Sequence, residues 1–303
     1  MAKKIAVIDL GTNTFHILIV EMDSNHSSWK EIYRERKYIH LAEDGIDTIG
    51  MKAFQRGIDA LQSFSKTCRS HQVTKIKACG TAALRTASNG SQFVEKAKNL
   101  CGLSIETIDG LKEANYIALG VQLAVPQSQR SKLIMDIGGG SVEFILVRNQ
   151  KLVWSQSFPI GVAVLKKKFH HSDPISADEL NNLKSFLGKH LAPLKSILNS
   201  ESSLDLIGAS GTFDVLQKMI SQLDFGKNFS HLELNEFEPL AKELIHMDLM
   251  KRNIFPNLPT ERAELIVVAL ILIQHILQIH SFQNLFVSNY AMKEGILSGF
   301  KKS

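Results

Sequence analysis

The 303-residue sequence predicts an α/β fold built from two duplicated halves. Segments with the apolar pattern of strands alternate along the chain with segments of helical periodicity, which is typical of α/β proteins. Residues 5–20 resemble residues 132–147, and residues 74–81 resemble residues 205–212. Because the two pairs recur in the same order, a chance match is improbable and gene duplication is the simpler interpretation.

The first repeated element is predicted to be a β-hairpin. Residues 5–20 read IAVIDLGTNTFHILIV and residues 132–147 read KLIMDIGGGSVEFILV. In each copy an apolar strand ends at an aspartate, Asp9 or Asp136, and a turn of small and polar residues leads into a second apolar strand. This pattern indicates a hairpin whose tip lacks bulky side chains.

The two hairpin tips are predicted to bind phosphate and Mg²⁺. Glycines let backbone amides approach a ligand closely, and successive amides in a turn form an anion-binding nest. Asp9 and Asp136, at the strand ends, suit a Mg²⁺ ion or its water shell, and a phosphate chain with Mg²⁺ needs both kinds of group. The predicted phosphate-binding residues of the tips are Gly11, Thr12, Asn13, Thr14, Gly138, Gly139, Gly140 and Ser141.

The second repeated element is a strand that runs into Gly-Thr before a helical segment. It reads TKIKACGT at residues 74–81 and DLIGASGT at residues 205–212. Amides at a helix start attract phosphate, so we predict further phosphate contacts there. Arg85 lies one helical turn beyond, where it can bind phosphate through two bonds, although an exposed helix arginine is the alternative. The predicted contacts of these turns are Thr81, Ser210, Gly211 and Thr212.

Two glutamates are candidates for activating water or binding metal. Glu143 follows the second tip between Val142 and Phe144, so the strand period separates it from its apolar neighbours. Glu113 is predicted to open a helix that reaches about Val125. A carboxylate near phosphates tends to have a raised pKa, which suits a general base. The residues alone leave the choice between the two glutamates open.

Other helices have clear sequence signals. Ser176 and Glu179 form a predicted capping box at the start of an amphipathic helix. Thr260 is predicted to cap a helix that continues through Gln278, and its continuous apolar face indicates deep burial. The histidines have no ligand pattern, and we interpret them as structural or surface residues: His170, His171, His275 and His280.

The domain boundary is predicted at the most linker-like stretch of the chain, residues 125–132. We therefore predict one domain over residues 1–125 and a second over residues 126–288. Both halves are long enough to form a core of their own.

Composition favours an anionic partner. Lys and Arg number 35 against 30 Asp and Glu, and the charge is +5. The basic residues are scattered, so we expect no nucleic-acid partner.

The longest apolar run, residues 265–273, is too short to span a bilayer. The chain also starts without a signal-peptide pattern, and its cysteines (Cys68, Cys79 and Cys101) fit neither a zinc site nor disulfides, so we expect a cytoplasmic protein without a membrane partner.

Several segments closely resemble the exopolyphosphatase and guanosine pentaphosphate phosphohydrolase (Ppx/GppA) family of the actin-like ATPase superfamily. They fall in the family's order and span nearly the whole chain. The resemblance implies two actin-like (ribonuclease H-like) domains with an interdomain cleft, and a C-terminal helix, residues 289–303, that joins the first domain. The matching segments are DLGTNTFHILI at 9–19, CGTAALRTASN at 79–89, GLKEA at 110–114, DIGGGSVE at 136–143, GASGT at 208–212, TERAE at 260–264 and AMKEGIL at 291–297.

The resemblance also implies an activity and roles for the candidate residues. The family removes terminal phosphates from inorganic polyphosphate or guanosine pentaphosphate with Mg²⁺, as hydrolases of phosphoric anhydrides. By resemblance, Glu113 is the base that activates water, Glu143 helps to hold Mg²⁺ and Arg85 contacts the phosphates. Both tips and the turn at residues 210–212 cradle the phosphate chain. The preferred substrate, the preferred chain length and a homodimer are left open.

The sequence departs from the family pattern at three points. Leu111 and Lys112 precede Glu113 where the family usually has an acidic residue, which is expected to affect metal affinity without removing the base. Residues 262–264 read RAE rather than RAD, and the glycine that usually follows is absent. The histidine-aspartate pairs of longer relatives are missing as well, so the chain resembles the short form.

Two other functions stay open at this point. One is a weakly catalytic or non-catalytic binder of guanosine tetra- or pentaphosphate, which Lys112 in place of an acidic residue favours. The other is an actin-like ATPase or sugar kinase. Such enzymes generally add a late Gly-Gly segment that holds adenosine, and residues 285–295 contain none. Phosphate release with Mg²⁺ discriminates the hydrolase from the binder.

Overall fold

The computed structural model of the chain describes residues 3–23, 28–220, 222–224 and 228–302, without the side chains of residues 222–224, 301 and 302. The chain forms two compact units. Unit 1 comprises Met1–Gly120 together with Met292–Ser303, and unit 2 comprises Val121–Ala291. The domain bounds inferred above from sequence remain a prediction.

The elements follow one another as strands and helices in both units. The strands are β1 (Lys3–Leu10), β2 (Thr14–Met22), β3 (Trp29–Tyr38), β4 (Lys75–Gly80), β5 (Ile105–Thr107), β6 (Ser131–Ile137), β7 (Val142–Arg148), β8 (Lys151–Phe158), β9 (Leu204–Ala209), β10 (Gln222–Asp224), β11 (Phe229–Leu232) and β12 (Leu285–Ser288). The helices are α1 (Met51–Ser70), α2 (Ala82–Thr86), α3 (Gly90–Cys101), α4 (Gly110–Ala124), α5 (Val162–Phe169), α6 (Ala177–His190), α7 (Ala192–Leu198), α8 (Gly211–Met219), α9 (Leu234–His246), α10 (Leu249–Asn253), α11 (Thr260–Ala263), α12 (Ile266–Ile279) and α13 (Met292–Ser298), followed by a 3-10 helix (Gly299–Lys302).

Unit 1 is organised around a sheet of strand order β3-β2-β1-β4-β5. Strand β2 is antiparallel to both of its neighbours, β3 and β1, whereas β4 and β5 run parallel to β1. Helix α1 buries its apolar face in the core, where Phe64 is fully covered. Gly57 of α1 lets Phe93 of α3 approach, because an added Cβ would lie 2.7 Å from the Phe93 ring. The sheet and these helices support the tip between β1 and β2.

Unit 2 repeats this topology and extends it. Its sheet has the order β10-β11-β12-β9-β6-β7-β8. The order β8-β7-β6-β9-β12 corresponds to β3-β2-β1-β4-β5, with the same antiparallel meander and the same two parallel additions. Helix α12 is almost entirely buried in the core of this unit, as its continuous apolar pattern predicted. The duplicated α/β fold predicted from the sequence is confirmed.

Two helix predictions need correction. The helix predicted from Glu261 to Gln278 is two helices, α11 and α12. The N–H groups of Arg262 and Leu265 bond to the carbonyls three residues earlier, which tightens the chain at this point. Pro259, not Thr260, is the N-cap of α11. Glu113 does not open α4 but is its fourth residue, since the helix begins at Gly110.

The predicted capping box is confirmed. The Ser176 hydroxyl accepts from the Glu179 N–H at 3.3 Å, and the Glu179 carboxylate accepts from the Ser176 N–H at 2.9 Å. In the described part of the chain, every helix is too short or too polar to cross a bilayer.

Candidate functional site

The tip between β1 and β2 is a turn closed by its own backbone. The N–H of Gly11 donates to the carbonyl of Thr14 at 3.1 Å. The carbonyls of Thr12 and Asn13 accept from the N–H groups of residues 39–41, at 2.7 to 3.0 Å. The segment after β3 therefore engages the tip's carbonyls, which fixes the direction of the turn.

The tip between β6 and β7 repeats this construction. The N–H of Gly138 donates to the carbonyl of Ser141 at 3.0 Å. The carbonyls of Gly138, Gly139 and Gly140 accept at 2.9 to 3.2 Å from the N–H groups of residues 161–163, where α5 begins. These hydrogen bonds occupy the carbonyls of all three glycines, so the turn does not present them as free acceptors to an anion.

Gly161 makes this arrangement sterically possible. A Cβ on Gly161 would lie 2.4 Å from the backbone of Gly139. Gly161 is not among the residues predicted from the sequence, although a glycine directly after Pro159-Ile160 is a turn signal. Its role depends on contact with a turn more than twenty positions earlier in the chain.

The second tip carries a row of polar side chains across neighbouring strands. Asp136 of β6 lies opposite Glu143 of β7, and Glu143 lies opposite Ser157 of β8. Directly opposite residues point to the same face of a sheet. Glu143 is only 1% exposed, and its Oε1 accepts from the Ser141 hydroxyl at 2.6 Å and from the Ser157 hydroxyl at 2.7 Å.

The chemistry of this row fits a Mg²⁺ ion. Within the described residues, no group of three or more His, Cys, Asp or Glu side chains is arranged as a complete metal cage. Mg²⁺ does not need one, because it usually binds through one or two carboxylates and completes its octahedral shell with water and phosphate oxygens. Asp136 and Glu143 supply two such carboxylates on one face of the sheet.

The first tip differs at the matching position. Asp9 lies opposite His16 rather than a glutamate, and the His16 ring nitrogen Nε2 is 2.9 Å from the Thr14 hydroxyl. Burial raises the pKa of Asp9, the charges of Lys293 and Arg36 oppose that rise, and the charge of Glu294 adds to it. The duplicated hairpins therefore carry a carboxylate pair only in unit 2.

Helix α13 places two charged residues near Asp9 that are not among the predicted site residues. Lys293 and Glu294 are both buried, and Glu294 Oε1 accepts from Arg34 Nη2 at 2.8 Å. Gly295 packs against the backbone of Tyr116 in α4, where a Cβ would overlap the carbonyl. Lys293, Glu294 and Gly295 belong to the segment AMKEGIL, which resembles the family pattern, and that resemblance is the sequence feature that marks them.

The structure brings Arg85 and Glu113 together. Arg85 Nη1 donates to Glu113 Oε2 at 3.2 Å and to the Ile108 carbonyl at 2.7 Å. Glu113 is buried, whereas the Arg85 side chain keeps 27% of its surface exposed. The Arg85 guanidinium can therefore orient the Glu113 carboxylate while part of it still faces solvent.

The two Gly-Thr turns are built differently. Thr81 is buried, and its N–H donates to the Leu10 carbonyl at 3.2 Å, so this amide bonds to the end of β1. In unit 2, Ser210 has a φ of +70°, in the left-handed region, and Gly211 and buried Thr212 open the nine-residue helix α8. The second turn has the helix start that favours anions.

Arg262 lies against the second turn. A Cβ on Gly211 would be 2.2 Å from Arg262 Nη2, so the guanidinium packs directly on the start of α8. Arg262 is only 9% exposed. Its segment, TERAE, resembles the family pattern, but Arg262 is not among the site residues predicted from the sequence. The turn at residues 210–212 thus has a cation next to its amides.

Lys112, the departure from the family pattern, is paired. Its ammonium forms an ion pair with Glu106, which also pairs with Lys77. These hydrogen bonds lower the pKa of Glu106 and raise the pKa of Lys112. The cation next to Glu113 in the sequence is therefore balanced by a carboxylate of β5.

Comparison with known proteins places this geometry in a family. The Ppx/GppA phosphatase family matches residues 18–303. A crystal structure of an exopolyphosphatase from Cytophaga hutchinsonii ATCC 33406 is 35% identical, with a TM-score of 0.94 over 99% of this chain and 98% of that one. A Ppx/GppA family member from Aquifex aeolicus is 23% identical, has a TM-score of 0.79 over 100% of this chain and 99% of that one, and shares the fold.

A curated relative is similar in sequence as well. The guanosine-5'-triphosphate,3'-diphosphate pyrophosphatase of Vibrio parahaemolyticus is 29% identical over 298 residues, which are 96% of this chain and 58% of that protein. The chain thus spans 58% of the length of this relative. The family match extends over almost all of the sequence, and the 35% identity to a solved exopolyphosphatase supports the same family membership. The chain belongs to the Ppx/GppA phosphatase family.

Proposed function

We propose that this protein is a Mg²⁺-dependent phosphohydrolase that releases the terminal phosphate of inorganic polyphosphate or guanosine pentaphosphate. The observation that carries the proposal is the repeated construction of the two tips, in which N–H groups of a following segment engage carbonyls of the turn. We infer that the remaining amides of each turn bind the phosphate chain. Two carboxylates on one face, Asp136 and Glu143, support the metal requirement. The names of the solved and curated relatives point to the same substrate classes.

The substrate would be held through its phosphate oxygens. The amides and hydroxyls of both tips, together with Ser210, Gly211 and Thr212, are the proposed donors. Arg262 would add a cation at the turn on which it packs, because its guanidinium lies against Gly211. Arg85 would contact phosphate with the part of its guanidinium that does not face Glu113.

Glu113 is the proposed general base. It would accept a proton from water as the water oxygen bonds to the terminal phosphorus, while the anhydride P–O bond breaks and its electron pair leaves with the shortened chain. Asp136, Glu143 and Asp9 are the proposed residues that hold Mg²⁺, which supplies neutralising charge for the phosphate oxygens when bound. Burial of Glu113 beside a guanidinium holds the base in one orientation.

A non-catalytic binder of guanosine tetra- or pentaphosphate is the second candidate, and Lys112 in place of an acidic residue is the observation that favours it. Lys112 is, however, paired with Glu106, and both proposed catalytic glutamates are present. These contacts favour the hydrolase.

A phosphate-release panel tests the proposed function. The protein is incubated with Mg²⁺ and with long polyphosphate, tripolyphosphate, guanosine pentaphosphate or ATP. We expect release from polyphosphate or guanosine pentaphosphate that exceeds release from ATP. Release from none of the substrates, with thermal stabilisation by the guanosine nucleotide, would identify a binder. A preference for ATP would support an actin-like ATPase or kinase instead.

A further inference from the structure

Ser157 of β8 lies in the row of polar side chains that contains the proposed metal carboxylates. It is directly opposite Glu143, which is directly opposite Asp136. Its hydroxyl donates to Glu143 Oε1 at 2.7 Å, and the Ser141 hydroxyl donates to the same oxygen at 2.6 Å. Two donors from two different elements thus converge on one carboxylate oxygen.

This convergence restricts how Glu143 can bind a cation. A carboxylate oxygen offers about two lone-pair sites. Both sites of Oε1 are taken by the hydroxyls of Ser141 and Ser157, so a cation must be bound through Oε2 alone. Glu143 is only 1% exposed and lies between β6 and β8, so its carboxylate cannot easily rotate to exchange its two oxygens.

We propose that Ser157 is a positioning residue that keeps Glu143 monodentate and thereby selects Mg²⁺ over Ca²⁺ at this site. Mg²⁺ requires an octahedral shell with short bonds, whereas Ca²⁺ readily accepts both oxygens of one carboxylate. Blocking Oε1 removes the bidentate mode that Ca²⁺ uses and leaves the mode that Mg²⁺ uses. The inference rests on the proposed function, because it takes Glu143 as a metal ligand.

The test measures metal binding without turnover. Bound Mn²⁺ is followed by electron paramagnetic resonance in the full-length protein and displaced with Mg²⁺ or with Ca²⁺. In the Ser157→Ala variant, one lone-pair site of Oε1 becomes available, and we expect the ratio of the Ca²⁺ to the Mg²⁺ dissociation constant to fall about tenfold, the low end for removing an outer partner of a metal ligand. Ser157→Thr restores the hydroxyl and should restore the ratio.

Ser155→Ala is the matched control. Ser155 is on the same strand and the same face, two residues away, but it lies opposite Ile145 rather than a carboxylate. Its substitution should leave the ratio unchanged. An unchanged ratio in folded Ser157→Ala, or an equal weakening of both metals, would overturn the inference and leave the proposed function intact. A native protein that binds no Mn²⁺, while it still releases phosphate, would instead overturn the assignment of this metal site.

Discussion

Arg85 and Glu113 form an ion pair, with Arg85 Nη1 3.2 Å from Glu113 Oε2. The same nitrogen donates to the carbonyl of Ile108, so one guanidinium connects the loop before α4 to a carboxylate of its first turns. Arg85, a proposed phosphate ligand, is therefore also placed to orient the proposed base. Substitutions at the two positions should therefore not be independent.

A double-mutant cycle tests this dependence. Arg85→Ala should lower kcat at least about tenfold, since the base loses its partner and the substrate loses a cation. In the Glu113→Gln background, Arg85→Ala should lower kcat much less than it does in the native protein. The reason is that the orienting contact has already been changed. Arg69→Ala, at an exposed position of α1, is the control. Fully additive losses would contradict the proposed orienting role.

Gly161→Ala should disrupt the second tip without removing any side chain that touches substrate. Its Cβ would lie 2.4 Å from Gly139, so the glycine turn must shift. We expect kcat/KM for polyphosphate to fall about a hundredfold, the size of effect that a displacement of about 1 Å can cause. Gly188→Ala is the matched control, because its Cβ would meet only His275 at 3.8 Å. Activity within about twofold of the native value would show that this tip does not bind phosphate.

The cysteines should be unreactive in the folded protein. Cys68, Cys79 and Cys101 are buried, and burial raises the pKa of Cys68 to about 11 and of Cys79 to about 12. The thiolate is the reactive form, so thiol reagents at pH 8 should modify none of them on the time scale of minutes. After unfolding in urea all three should react. A thiol that reacts rapidly in the native state would contradict the packing of unit 1.

Acid should weaken unit 2 through two histidines, His170, which is buried, and His275, which is partly buried. Burial, followed by the charge of Arg252, lowers the pKa of His170 from its ordinary value of 6.5, and burial also lowers the pKa of His275. Because the unfolded chain binds these protons more readily, the stability that the neutral rings provide is present above about pH 6.5 and is lost as the pH falls below it.

The measurement is the free energy of unfolding in urea at pH 7.5 and pH 5.5. His170→Gln should reduce the loss of stability between the two pH values. His171→Gln, which changes the exposed neighbouring histidine, should not alter it. Equal pH dependence in the native protein and His170→Gln would contradict the burial argument.

Much of the fold followed from the sequence because its signals are local. Strand alternation and the repeated hairpins, centred on Asp9 and Asp136, predicted the duplicated sheets. The capping box at Ser176 is likewise predictable, because it depends only on residues 176–179. The break between α11 and α12 was missed because the apolar pattern runs through it, whereas the hydrogen bonds of residues 259–265 interrupt the helix.

The candidate site was only partly predictable, because some contacts join residues that are distant in the sequence. The tips and both glutamates have recognisable motifs. Three contacts have no sequence motif, since each depends on how two elements pack. They are the pairing of Arg85 with Glu113, the packing of Arg262 on Gly211 and the contact of Gly161 with the second tip. The sequence shows which residue types occupy these positions, but it does not show which residues they contact.

The most direct test of the central claim is phosphate release by Glu113→Gln under the conditions in which the native protein is active. The substitution keeps the size of the side chain and removes its ability to accept a proton, and Glu95→Gln, at an exposed position of α3, controls for the chemical change. We expect turnover to fall at least about a hundredfold, the low end for loss of a general base, with Glu95→Gln fully active. Near-native turnover by folded Glu113→Gln would contradict the assignment and make Glu143 the next candidate.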